Sequence, residues 1–96
     1  MLSIKCARVV KGLKSGELAK KANLGTSSIS QIESGKKSPS IESFIRIAEA
    51  LGYRPSQLMW LEEQYQEMKK DKDYTDEELY RKLLLCAIQL EEPIVN

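Results

Sequence analysis

The sequence predicts an all-α fold, and two observations carry that expectation. Apolar residues recur at helical spacing, while no stretch alternates apolar and polar residues with β-branched enrichment, as a strand would. Residues suited to a left-handed helix end, Gly12, Asn23, Gly35 and Gly52, fall at intervals that fit short helices.

Six helices follow in order. The first is expected over residues 2–11, the second over 15–22 and the third over 26–34. The fourth covers 41–51: Ser40 caps it after Pro39, and Glu42 meets the positive end of its dipole. The fifth starts at Pro55, a residue suited to a first turn, and continues to about Lys70 because Leu58, Leu61, Tyr65 and Met68 hold one face. Residues 69–73, Lys-Lys-Asp-Lys-Asp, make a charged connector. Thr75 and Glu78 then form a capping box, each satisfying the other's orphan N–H. The sixth helix runs to about Glu92, where Pro93 stops it.

Ninety-six residues make one small domain, or a smaller one with a helical appendage. A chain of this size buries little more than about 60% of its unfolded surface, so a partner subunit would add useful burial. No apolar run approaches the roughly 20 residues of a membrane span, and the N-terminus lacks a signal-like apolar stretch. Cys6 and Cys86 stand far apart, as expected of small buried hydrophobes in a reduced cytoplasmic protein. With no His and two isolated Cys, neither a metal nor another cofactor is expected.

The net charge of +1 hides an asymmetry. Residues 1–60 carry ten Lys or Arg against four Glu, whereas residues 61–96 carry five Lys or Arg against ten Asp or Glu. A basic front and an acidic back suggest different partners for each. Catalysis is not expected: there is no Gly-rich phosphate loop, nucleophile elbow or carboxylate cluster on an apolar cleft.

The second and third helices are separated by Asn23-Leu24-Gly25. Ala19 has no bulk, so the third helix can cross close over the second. Asn23 tolerates positive φ where the chain must turn. Leu24, Ile29 and Ile32 fill the wedge between them, with Leu18 and Ala22 on the same two short helices. This is the spacing of a helix-turn-helix, whose second helix enters the major groove. Short hydroxyl side chains over residues 26–30 would let that helix sit deep in the groove.

Here the chain resembles the Cro/repressor-type (XRE-type) helix-turn-helix proteins of phages and bacteria. The resemblance rests on Glu17-Leu18-Ala19, on the run from Ile29 to Lys36, on Pro39-Ser40, on the run from Ile47 to Gly52, and on Leu58. It covers about residues 4–58. It implies a five-helix repressor-like DNA-binding domain over residues 1–60. The longer fifth helix and the sixth then form an extension over 61–96.

The resemblance places Thr26, Ser27, Ser30 and Gln31 at base-facing positions. Gln can pair bidentately with adenine, and the Thr methyl can touch thymine. It makes Ser34, Gly35 and Lys36 phosphate contacts, with Lys37 better suited to a solvated loop. Ser15 stands where the family often has Gln, and is short enough to reach phosphate only through its backbone or a water. Ser28, on the other side of the third helix, is a packing or phosphate residue. Lys14 replaces a usual Ser or Thr cap, so the first turn of the second helix should be less well anchored. The resemblance also pairs Arg8 with Glu33 as a partly buried structural ion pair, locking the first helix to the end of the third.

The extension is expected to carry a second role. In the first helix, Ile4 and the stem of Arg8 should face the helix-turn-helix, with Leu2, Cys6, Val9, Val10 and Leu13 on another stripe. The sixth helix is apolar on two sides, Leu79, Leu83, Cys86, Ala87 and Leu90 on one and Tyr80, Leu84 and Ile88 on the flank. It should therefore fold onto the first or fifth helix, within its own subunit or across to a partner. Its other face, with the stripe of the fifth helix, should form a homodimer interface. Trp60 is expected to pack between the fifth helix and its neighbours. The function expected is a sequence-specific transcriptional regulator that binds a palindrome in double-stranded DNA. An alternative is an antitoxin or adaptor whose acidic C-terminal helices hold a protein partner.

Overall fold

The computed structural model describes residues 1–91. It consists of α1 (Leu2–Val10), α2 (Ser15–Ala22), α3 (Thr26–Glu33), α4 (Ile41–Leu51), α5 (Pro55–Lys69) and α6 (Asp76–Glu91). Among the described residues there is no strand. The expected stop of the last helix at Glu92 and Pro93 lies outside the described residues.

Local signals explain the boundaries. Among the described residues the left-handed positions are Gly12, Asn23, Gly35 and Gly52, with φ of 73°, 57°, 82° and 81°. Asn23 closes α2 in a Schellman turn, in which its N–H donates to the Lys20 carbonyl and the Leu24 N–H donates to the Ala19 carbonyl at 2.8 Å. At Ser40 the hydroxyl accepts from the Ser43 N–H at 3.1 Å and caps α4. Thr75 and Glu78 close the capping box of α6: Glu78 N–H donates to Thr75 Oγ1 at 3.2 Å, and Thr75 N–H to Glu78 Oε1 at 3.3 Å. Lys14 has no side-chain acceptor, so α2 keeps half of such a box. Its N–H donates to Glu17 Oε1 at 3.0 Å.

One hydrophobic core runs through all six helices. It joins Ile4, Cys6 and Ala7 of α1 to Leu18, Ile29, Ile32 and Ile47 of the central helices. Leu58 and Leu61 of α5 and Leu83 and Ala87 of α6 belong to the same cluster. Trp60 packs against it, partly buried. α6 folds back within its own chain, onto α1 and α5.

Two expectations need correction. The α5 stripe assigned to a subunit interface is turned inward. Leu58 and Leu61 are fully buried, and Tyr65 and Met68 pack partly buried against the same core. With α6 covering α5 to complete the core of a chain this small, Leu58 and Leu61 are unavailable to a partner. On α1, Val9 is 41% exposed, whereas Ser3 and Ala7 are fully buried. Small residues at 3, 6 and 7 let neighbouring helices lie close, so the buried face of α1 is rotated away from Val9. Ser3 Oγ donates to Glu62 Oε1 of α5 at 2.8 Å, which satisfies the buried hydroxyl.

Candidate nucleic-acid interface

α3 is held from beneath and presented outward. Ile29 and Ile32 are buried against α2 and the rest of the core, and this turns Thr26, Ser27, Ser30 and Gln31 to the surface, all four exposed. Residues 27, 30 and 31 share one face. α2 starts close to the start of α3, since a Cβ built on Gly16 would lie 4.0 Å from Thr26 Oγ1. Gly25 precedes α3 with no side chain to cap it, so the first N–H groups of α3 have no side-chain acceptor.

The end of α3 is tightly formed. Ser34 Oγ donates to the Gln31 carbonyl at 3.2 Å, and Lys37 N–H donates to the same carbonyl at 3.1 Å. Gly35 supplies the left-handed residue between them, in open space. Ser34, Gly35 and Lys36 are exposed in this turn, and Ser15 is half-buried at the start of α2. Ser15, Ser30, Ser34 and Gly35 border one cleft. Ser28 is half-buried, with its hydroxyl 3.9 Å from a Cβ built on Gly25. Of the five phosphate candidates, Ser15, Ser34 and Gly35 border the cleft, whereas Ser28 and Lys36 do not line it.

Arg8 and Glu33 fix the angle of α3. Arg8 Nε donates to Glu33 Oε2 at 2.7 Å and Nη2 to Oε1 at 3.0 Å, while Nη1 donates to the Leu13 carbonyl at 2.8 Å. One planar guanidinium thus joins α1, the α1–α2 turn and the last turn of α3. Its bonds to Glu33 outweigh the burial that opposes charge, so the Arg8 pKa is raised.

A helix-turn-helix family model matches residues 4–58, more than half of the chain. The chain belongs to the XRE-type helix-turn-helix family. No curated protein and no solved structure matches it. It is therefore a DNA-binding regulator of the XRE type. Among the described residues no helix is long and apolar enough to cross a membrane.

Two features of this XRE-type domain escaped the sequence. One is the Ser3–Glu62 bond, which links α1 to α5 across 59 residues and leaves no local signal. The other is a clamp at the end of α6. Tyr53 Oη donates to Glu91, and Lys11 Nζ approaches Glu91 Oε2 at 2.9 Å while lying 4.8 Å from the Tyr53 ring centroid. Burial opposes the Glu91 charge, yet the hydrogen bonds from Tyr53 and Lys11 prevail and lower its pKa.

Proposed function

We propose that the chain is a sequence-specific transcriptional regulator that binds a palindromic operator in double-stranded DNA as a homodimer. The observation that carries this reading is the exposed α3 face of Thr26, Ser27, Ser30 and Gln31, mounted on a buried Ile29–Ile32 edge. Base edges are read by such side chains from the first turns of a recognition helix. Ser15, Ser28, Ser34, Gly35 and Lys36 are proposed to bear on the phosphates. They would fix register and contribute the salt-dependent part of the affinity.

The homodimer rests on the outer face of α6. Leu85 is 61% exposed and Ile88 45%, beside half-buried Leu84, while the inner face of the same helix completes the core. In this proposal residues 1–60 contact DNA and residues 61–96 join subunits, although both parts share one core. Dimerisation would set two α3 helices about 34 Å apart, on successive major grooves. The acidic first turn of α6, Asp76-Glu77-Glu78, has a local reason in the helix dipole, which favours a DNA regulator over an adaptor built on that charge.

Selection of bound duplexes from a random pool, followed by footprinting on the recovered sequence, tests the reading. The expected result is an inverted repeat protected on one face of the duplex. Recovery of unrelated sequences, bound no better than the starting pool, would reject it.

A further inference from the structure

A cleft of about 800 Å³ lies between the last turn of α3, the start of α1 and the elbow where α5 meets α6. That volume falls within the roughly 300–1,000 Å³ typical of small-molecule sites. Its charges do not cancel. Glu33 is engaged by Arg8, and Glu62 accepts from Ser3 and from Gln66, each at 2.8 Å. Lys5, Lys37 and Lys69 line the same cleft, and none has a carboxylate within ion-pair distance among the described residues. Against these three ammonium groups stand two carboxylates with no basic side chain in ion-pair contact among the described residues, Glu62 and Asp76. The Met1 ammonium lines the same cleft and donates to the Ile32 carbonyl, so positive charge remains in excess.

Two of the three lysines rest over aromatic rings. Lys69 Nζ lies 5.3 Å from the Tyr65 ring centroid, and Lys5 Nζ lies 5.6 Å from that of Tyr80. Both rings line the cleft and are half-buried. At exposed sites a cation over a ring gains only about 0.5–1 kcal/mol, so an incoming anion can draw the ammonium away and free a ring face for stacking. The cleft wall also includes Ser30, Ser34 and Gly35 of the proposed DNA surface.

We propose that this cleft binds a small anion carrying a flat ring, through Lys5, Lys37 and Lys69 and the faces of Tyr65 and Tyr80, and that occupancy lowers affinity for DNA. Negative charge in the cleft, beside the proposed phosphate contacts Ser34 and Gly35 on its wall, repels the phosphate backbone. The coupling to DNA rests on the function proposed above, whereas the site itself does not.

Titration of the full chain without DNA tests the site, by calorimetry and by amide shifts, at constant ionic strength. The probes are adenosine monophosphate, 4-hydroxybenzoate, adenosine and inorganic phosphate. At least one of the two ringed anions should saturate, with shifts at Lys5, Lys69 and Tyr80, and should bind more tightly than adenosine or phosphate. The K5A/K69A double variant should weaken it about tenfold, because each exposed pair contributes modestly. Absence of saturation by both ringed anions, or equal binding to K5A/K69A, overturns the site. In the second arm the binding anion should weaken duplex DNA binding by the wild type at ligand concentrations about tenfold lower than K5A/K69A requires. Unchanged DNA affinity at saturation overturns the coupling. A chain that binds no duplex even without ligand overturns the regulator reading instead, and leaves the site to the first titration.

Discussion

Arg8 holds Glu33 through two parallel hydrogen bonds, with side chains only 14% and 9% exposed. The pair spans 25 residues and sets where the last turn of α3 lies on α1. Removing one partner strands the other charge away from water. Glu33→Ala is expected to cost on the order of 3–4 kcal/mol, measured by thermal or urea unfolding. Arg8→Lys should restore little of an Arg8→Ala loss, since an ammonium cannot reach both oxygens of Glu33 and the Leu13 carbonyl together. Full stability in both single variants would mean that water already solvates the pair.

Gln31 and Lys36 should differ in kind. Gln31→Ala is expected to weaken binding to the selected duplex by about 1–3 kcal/mol and to leave random DNA nearly unaffected. Lys36→Ala should weaken both alike and reduce the salt slope by about one counterion. Filter binding over a salt series reads both. Equal losses for Gln31→Ala on the two DNAs would remove it from the base-reading set.

The last helix belongs to the core. Leu83 is fully buried among residues of the other helices. Leu83→Ala should cost about 2–5 kcal/mol. Loss of residues 72–96 should abolish cooperative unfolding of the helix-turn-helix as well. A sharp, unshifted melt of the truncated chain would show that α6 is dispensable to the core.

The outer α6 face gives the test of assembly. Leu85→Lys with Ile88→Glu should leave the melt of the isolated chain within about 0.5 kcal/mol, as exposed substitutions do. Sedimentation at micromolar concentration should then show a monomer where the unaltered chain gives a dimer. A monomer for the unaltered chain would dispose of the homodimer.

The clamp at the end of α6 is sensitive to acid. The Glu91 carboxyl titrates below its ordinary value in the folded chain, because Tyr53 and Lys11 donate to its ionised form. Its contribution to stability is therefore complete above the unfolded value, near about 4.3, and is lost as pH falls through the lowered folded value. Glu91→Gln should flatten the decline in melting temperature across that acid range. The two curves should meet only below the folded value. Parallel curves for both proteins would contradict the assignment.

The helix-turn-helix was legible because its signals are local. Ala19, Asn23, Ile29 and Ile32 sit within fourteen residues, and each states a steric or conformational requirement that its neighbours satisfy. The four left-handed positions were readable for the same reason, as φ above zero admits few residue types. The Arg8–Glu33 pair was implied only by family resemblance, since nothing in the spacing of two charges 25 residues apart says that they meet.

The sequence by itself determined the helices, most of their caps and the polar face that α3 leaves exposed. Only the tertiary structure decided what covers what. Helices α1, α5 and α6 each carry more apolar surface than one neighbour can bury, and periodicity alone does not say which neighbour takes which face. The small residues Ser3, Cys6 and Ala7 settled it by letting neighbouring helices approach α1 closely, with α6 laid across α1 and α5. That packing closed the α5 stripe inside the chain, exposed Val9, and brought Lys5, Lys37 and Lys69 from three distant segments to one cleft.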